Sequence, residues 1–459
     1  MNKPQNIIVL VADSLRYDSV HAPGRRSPQG GGPLNNGLPY TSAHASRFTQ
    51  ARSGGCWTLP ATASLFTGLM PHEHGADAQS RGLNPKVPTL AELLREQGYS
   101  THQITANVAT TEIFGLDRGF DEMKRIWNIV PAHHKKIHEA LVLVGKPRLR
   151  KKILSKDFVA GKLSEDLEAS KVWLQRTCDD VLNEARATIR RNQERGKGSF
   201  LFLNLMETHF PYHIAPTFET LSEGIWGKIR EIVSLYHLVN QTWLIKGESP
   251  IRQDMLDLLR DRQRKAWELL APTVDEFIQE MHEGGDNLVV FGSDHGDCFG
   301  EQGWMYHFSN VADGGNRVPL YWLSPGQSEA ATVDTPVSAR DLFHGVLAEA
   351  GNPAGLFHPV HEPVRSFPIM QSSWYNNQGK TLSKFKYNQI CFLESGKRWL
   401  YRRGEWLTAP PATDAGEATF QPLPSGVNPL EETVIPVERR RHLQQVLADF
   451  QSFSAKHAA

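Results

Sequence analysis

Apolar residues run almost unbroken through positions 7–12, 199–206 and 289–292. A strand buried on both faces reads this way, whereas one facing water on a side alternates. Each run stops abruptly at polar chemistry: Asp13-Ser14 after the first, Glu207-Thr208-His209 after the second, Ser293-Asp294-His295-Gly296 after the third. Helical spacing over residues 90–97 precedes a short strand over 101–106, and a long amphipathic helix over 252–281 leads into the third run. Helix followed by buried strand is an αβ unit, which predicts a parallel sheet and an α/β fold. A further strand is expected over 317–323 and a helix over 339–350. Beyond residue 364 the pattern turns short and antiparallel, with strands over 385–393 and 398–401 and a closing helix over 438–450.

Between these elements lie segments of different character. Residues 124–192 read as strongly helical and locally basic, densest at His133-His134-Lys135-Lys136 and Arg148-Leu149-Arg150-Lys151-Lys152. Such charge usually marks a solvated helical face, with an anion-collecting patch as the alternative. Residues 213–251 are rich in aromatics without clean periodicity and suggest a cap or lid, and residues 30–37 read as a loop. In Thr58-Leu59-Pro60-Ala61-Thr62-Ala63-Ser64-Leu65-Phe66-Thr67-Gly68, Pro near the front and Gly at the end bracket a short helix. A hydroxyl at its start faces orphan N–H groups and the positive end of the dipole, where a phosphate or sulfate is held well. The ordinary alternative is a Thr N-cap worth about 1 kcal/mol.

Composition narrows the functional classes. The 459 residues are 40% hydrophobic and 22% charged, enough for one large domain and a smaller one. Fifty basic residues balance fifty acidic ones, which argues against a nucleic-acid scaffold or a membrane-surface protein. No signal peptide or transmembrane run is apparent. Four scattered cysteines, Cys56, Cys178, Cys298 and Cys391, form no Cys-x-x-Cys pair, which fits a reducing, cytoplasmic setting.

Each polar strand end has a bland reading alone: Asp13 as a helix N-cap, Asp294 as a turn residue, His209 and His307 as satisfied structural histidines. Together they converge, because ligands of open α/β sheets gather outside the carboxyl ends of the strands. Two carboxylates, an imidazole and a hydroxyl make a cation site from Asp13, Asp294, His295 and Thr58. A free Thr hydroxyl is a poor nucleophile near neutral pH, so a cation would be needed to favour its alkoxide. His209 and His307 are candidates for contacting the substrate or protonating its leaving oxygen.

The ordered segments Val9-Leu10-Val11-Ala12-Asp13-Ser14-Leu15-Arg16, Thr58 to Gly75, Phe114 to Asp121, His209-Phe210-Pro211-Tyr212 and Phe291 to Gly296 resemble the sulfatase branch of the alkaline phosphatase superfamily. The resemblance implies a mixed, mostly parallel sheet sandwiched by helices, with a small C-terminal antiparallel α+β subdomain. It divides the chain at 1–360 and 361–459, with helical inserts near 124–195 and 213–265. It implies a metal-dependent ester hydrolase. Sulfatases of this branch oxidise a Cys or Ser in a Cys-x-Pro-x-Arg pattern to formylglycine; here Thr58 takes that position, Thr62 stands where the Arg belongs, and Cys56 is out of register. Thr cannot give formylglycine but is the nucleophile of related phosphatases, phosphodiesterases and phosphoethanolamine transferases. Ser14 replaces a second metal-binding Asp, and Ala106-Asn107-Val108 falls where a Lys-Trp-His signature often stands, with Asn107 able to take over one anion contact.

The expectation is a hydrolase of small anionic phosphate or phosphonate esters, with sulfate esters less favoured. One divalent ion, Ca²⁺, Mg²⁺ or Mn²⁺ with Zn²⁺ possible, would be held by Asp13, Asp294, His295 and Thr58. Neither a nucleic acid nor a membrane is expected as partner, and the oligomeric state is not readable. The alternatives are transfer to an acceptor other than water, and a binding or regulatory protein on a degenerate sulfatase scaffold.

Overall fold

The structure, a computed structural model, describes residues 3–21, 37–77, 82–126, 177–214, 220–239, 251–307, 310–355, 358–362, 365–366, 368–372, 388–411, 418–432 and 434–456. Its centre is an eight-stranded sheet of β1 (Asn6–Ala12), β2 (Ser46–Phe48), β3 (Ser100–Thr105), β4 (Glu122–Arg125), β5 (Ser199–Leu205), β6 (Asn287–Gly292), β7 (Leu320–Leu323) and β8 (Ala331–Val333). The order across the sheet is β8-β2-β7-β6-β1-β5-β3-β4. All neighbours run parallel except at β7, which is antiparallel to both β6 and β2.

The three long apolar runs are the three central strands, and their alternate residues feed two separate cores. Ile7, Val9, Val11, Phe200, Phe202, Leu288 and Val290 face one layer, packed under Leu59, Ala63 and Phe66 of α1 (Thr58–Thr67). Ile8, Leu10, Leu201, Leu203, Val289 and Phe291 face the other, against α2 (Cys178–Glu194) and Trp267, Leu270, Val274 and Phe277 of α3 (Gln253–Glu283). Helices on both faces leave no polar side to the strands, which is why the runs are continuous rather than alternating. A fourth helix, α4 (Asp341–Glu349), covers the first layer with Leu342, Phe343 and Val346.

Parallel register brings the strand ends to one rim: Ala12 pairs with Leu205 and Val11 with Gly292, so the next residues of all three strands emerge side by side. At this rim α1 starts. Gly68 ends the helix in the left-handed region, φ 69°, where a side chain would be strained.

One reading of the sequence needs correction. Lys124 does not open a helix; it lies in β4, an edge strand whose side chains are half-buried or exposed and therefore lack the apolar signature. Within residues 213–251, Gly224–Val239 is helical, anchored by a buried ion pair of 3.0 Å from Arg262 Nη1 to Glu231. The basic runs at 133–136 and 148–152, and the loop at 30–36, lie outside the described residues.

The C-terminal part is a five-stranded antiparallel sheet, Ile369–Ser372, Gln389–Glu394, Lys397–Arg402, Glu405–Ala409 and Gln421–Pro422, in chain order. Ser395-Gly396 and Arg403-Gly404 are its tight hairpin turns, both residues of each at positive φ. Leu443, Val446, Leu447 and Phe450 of α5 (Val437–Lys456) cover one face. Among the described residues no helix is long and apolar enough to cross a membrane.

One buried charge cluster ties the C-terminal sheet to the larger part of the chain. Arg398 of the C-terminal sheet and Arg52 of the larger part both lie 3.3 Å from Asp313 Oδ1 and are fully buried. Removing one partner of a buried pair leaves charge uncompensated. Arg398→Met is expected to cost about 3 kcal/mol in urea unfolding; a loss below about 0.5 kcal/mol, the size of an ordinary surface change, would show that the cluster does not hold the parts together.

Candidate active site

Asp13 follows β1 and is fully buried. It caps no helix: Oδ2 accepts from Asn107 Nδ2 at 2.7 Å and Asn204 Nδ2 at 3.1 Å, and Ser14 Oγ donates to Oδ1 at 3.3 Å. Burial alone would raise its carboxyl, but His209, His295 and the two amides outweigh that and hold it below the usual range. Asp294, two residues past the end of β6, faces it. Its Oδ1 accepts from the backbone N–H of Ser14 at 3.2 Å and of His295 at 2.9 Å. Oδ2 accepts no hydrogen bond although it is buried. Burial, and next the charge of Asp13, push this carboxyl well above its ordinary value.

His295 completes the group. Its Nδ1 lies 3.0 Å from the carbonyl of Gly296, which can only accept, so Nδ1 carries the proton. In the neutral ring Nε2 turns a lone pair toward Asp13 Oδ1 at 3.7 Å, Asp294 Oδ2 at 3.4 Å and Thr58 Oγ1 at 3.2 Å. Ligand atoms of Asp13, Asp294 and His295 all lie within 4.8 Å of one another. Two carboxylates and an imidazole lone pair pointed at one another repel unless positive charge sits between them. The donor set thus fits a divalent cation: hard oxygens suit Ca²⁺, Mg²⁺ or Mn²⁺, and the imidazole admits Zn²⁺.

Thr58 is the first residue of α1. Trp57 occupies the N-cap position and Thr58 makes no capping bond; its Oγ1 reaches instead to His295 and, at 3.5 Å, to Asp13 Oδ2. Asn107 Nδ2 donates to it at 3.3 Å, so this amide bridges hydroxyl and carboxylate rather than reaching outward. Thr62, one turn further along α1, has a buried hydroxyl without a hydrogen bond.

The histidines gather beside this group. The His307 ring lies 4.4 Å from that of His295, centre to centre, and 5.3 Å from that of His209, tilted by about half a right angle to each. Burial first, then the neighbouring imidazoles, push His307 well below the usual range and keep it neutral. His209 Nδ1 donates to the carbonyl of Phe210 at 3.0 Å, and Tyr306 OH approaches its Nε2 at 3.4 Å.

Sequence reasoning missed four contributors. Asn204 offered a signal, since a polar amide inside a buried strand must be paired. Asp297, pushed up to about 6 by burial, follows the Asp-His-Gly directly. Tyr212 and Tyr306 gave none: both have left-handed backbones, φ 58° and 63°, as does Ser14 at 60°. Such positions cost roughly 1–3 kcal/mol each and concentrate where geometry is imposed by function.

A model of the sulfatase family matches residues 5–352. The chain belongs to the sulfatase family. Arylsulfatase K of Danio rerio is similar to it, 20% identical over 374 residues, 76% of this chain and 65% of the relative. The chain spans 58–65% of the length of three curated relatives it matches. Among solved structures, the phosphonate monoester hydrolase of Silicibacter pomeroyi aligns with TM-score 0.59 and 15% identity, covering 99% of this chain and 96% of that one. A 2-O GAG sulfatase aligns with TM-score 0.60 and 15% identity, covering 99% and 93%. Identities this low establish the alkaline-phosphatase-like fold. This sulfatase-family chain therefore has the expected mixed, mostly parallel sheet and the small antiparallel C-terminal sheet.

The carboxylate pair gives a test independent of turnover. Saturating Mn²⁺ or Ca²⁺ should raise the melting temperature of chelator-treated protein, by mass action about 2.7 kcal/mol at one hundred times the dissociation constant. Asp294→Asn should abolish that rise while making the stripped protein more stable than wild type, because a like charge beside Asp13 is gone. If no divalent ion stabilises the wild type, the cation reading is lost.

Proposed function

We propose that this chain is a metal-dependent hydrolase of phosphate or phosphonate esters with Thr58 as its nucleophile, the finer reading within its family. The observation that carries it is the hydroxyl of Thr58 at the N-terminus of α1, within 3.5 Å of Asp13 and 3.2 Å of His295. A threonine there cannot supply the aldehyde on which the formylglycine route depends.

Asp13, Asp294 and His295, with Thr58, would hold the cation, and a bound divalent ion supplies the positive charge that favours a Thr alkoxide and offsets an anionic ester. Asn107 orients the Thr58 hydroxyl through a donated hydrogen bond, leaving an oxygen lone pair for attack. Pro60 has no N–H and that of Ala61 bonds to Trp57, so the first turn of α1 has the backbone N–H groups of Thr58 and Leu59 to offer to the incoming ester oxygens. Thr58 Oγ forms a bond to phosphorus as the bond to the leaving oxygen breaks; the proton shed by the Thr58 hydroxyl passes to the imidazole side, where His209 and His307 stand, and from there to the leaving oxygen. Water then attacks the phosphothreonine, the P–Oγ bond breaks, and Thr58 regains its proton.

Charge balance favours singly charged esters. The hydrogen-bond partners of Thr58 are Asp13, Asn107 and His295, none of them a fixed cation. One divalent ion is balanced by Asp13 and Asp294, so little positive charge remains for a dianion. A phosphodiester or a phosphonate monoester carries one charge and suits this better than a phosphomonoester. The chain is also read as acting in the cytoplasm on a soluble substrate.

A panel of phosphate mono- and diesters, phosphonate monoesters and sulfate esters, each with added divalent ions, tests the reading. Turnover of a singly charged phosphorus ester should fall at least about 10³-fold in Thr58→Ala, with a phosphoryl or phosphonyl adduct on Thr58 seen by mass spectrometry after brief exposure. Equal turnover in Thr58→Ala, or sulfate esters as the best substrates, would overturn it. Tight ligand binding by both forms without any turnover would instead identify a binding protein.

A further inference from the structure

Resting on that reading, we infer that Asp297 and Tyr212 are positioning residues that fix His307 as the base for the water attacking phosphothreonine. Asp297 is fully buried, and both its oxygens are engaged, one by a residue ten positions on and the other by one 85 positions back. Oδ1 lies 2.6 Å from His307 Nδ1, and Tyr212 OH donates to Oδ2 at 2.8 Å. With Tyr212 donating to one oxygen, the carboxylate accepts the Nδ1 proton of His307 with the other. Proton exchange with a substrate oxygen then runs through Nε2, the tautomer a base requires.

Several features hold this chain of contacts in place. Tyr212 is fully buried with its backbone at φ 58°, a conformation a bulky residue adopts only when the surroundings enforce it. Arg16 Nη1 donates to the backbone carbonyl of Asp297 at 2.5 Å and pairs with Glu301 at 2.9 Å. The ring of Tyr306, a residue also in the left-handed region, lies tilted against that of His307 with centres 3.8 Å apart. The His307 ring rests against His295, whose Nε2 is 3.2 Å from Thr58 Oγ1, so the imidazole stands next to the phosphorus that Thr58 would carry.

In the hydrolytic half-reaction the water oxygen bonds to phosphorus and its proton passes to His307 Nε2 as the P–Oγ bond breaks. The imidazolium is neutralised by Asp297 and returns the proton to Thr58 Oγ, directly or through water. Atoms and charge balance without a further reactant.

Ligand atoms of His295, Asp297 and His307 also lie within 4.8 Å of one another, so a second cation on them is the competing arrangement. A nitrophenyl ester separates the two, because its leaving group departs without a proton and the first step needs no help. Asp297→Ala should release about one equivalent of nitrophenolate in a burst and then turn over roughly 10²–10³-fold more slowly, with phosphothreonine accumulating at residue 58. Asp297→Asn, which still accepts from Nδ1–H, should be intermediate, and Tyr212→Phe should lose about 3–10-fold in kcat with little change in KM. The metal content per chain should stay unchanged in all three. Nitrogen-15 correlation spectra of the substrate-free protein should show a protonated His307 Nδ1 in wild type and Asp297→Asn but not in Asp297→Ala.

Asp297→Ala with kcat within threefold of wild type, or with slow turnover but no adduct, overturns the assignment. Loss of bound metal in Asp297→Ala overturns it in favour of the second cation. If instead wild-type Thr58 is never labelled and no ester is cleaved, the hydrolase reading has failed, and the His307 signal still decides the Asp297 contact.

Discussion

Two carboxylates, Asp13 and Asp294, are buried face to face at the ends of adjacent parallel strands, and much of the rim is arranged around that fact. Burying one carboxylate costs several kcal/mol even after relaxation, and burying a second beside it costs more. Ser14 turns into the left-handed region and spends its N–H on Asp294 and its hydroxyl on Asp13. Asn204, within the neighbouring strand β5, and Asn107, two residues past the end of β3, bring their amides to Asp13. Even so, Asp294 keeps one oxygen without a donor and His295 aims a lone pair at both acids. A protein that tolerates this is built to hold positive charge there.

The support for this arrangement extends well beyond the strand ends. Gly296 N–H donates to the carbonyl of Gly315 at 2.8 Å, and a Cβ on Gly296 would sit 2.3 Å from the carbonyl of Gly314. The turn after β6 thus lies backbone to backbone against the segment 313–316. That segment starts at Asp313, the acid shared by Arg52 and Arg398. The C-terminal sheet, which supplies none of the grouped side chains, so bears on the turn that presents Asp294 and His295.

Much of this was legible in the sequence, for physical reasons. Strands covered on both faces must be continuously apolar, so β1, β5 and β6 announced themselves, and their polar ends named Asp13, His209, Asp294 and His295. Pro60 and Gly68 bracketed α1 and put Thr58 at its start. What escaped notice was short or tertiary. β2, β4 and β8 have three or four residues each and lie toward the sheet edges, where burial imposes no pattern. Tyr212 and Asp297 are 85 positions apart, and nothing local in either segment foretells their hydrogen bond. Asn204 was readable in principle, an amide set in the middle of an apolar run, but only the fold reveals which acid it serves.

The two halves of the site solve different problems, and the difference explains why a threonine is workable. At the strand ends the acids can accept a cation. At the helix end there is little fixed positive charge: Thr62 stands at the position where an arginine is typical of the family, and its hydroxyl is buried without a partner. An alkoxide beside a fixed guanidinium would be stabilised into inertness, whereas one held by an exchangeable cation, an asparagine amide and a helix terminus remains reactive once its charge passes to the ester. On the proposed route the second step would call for a base, since a phosphothreonine, unlike a carbonyl hydrate, has no hydroxyl of its own to expel the product. The buried Tyr212–Asp297–His307 chain, beside Thr58 yet separate from the paired acids, has the composition for that task.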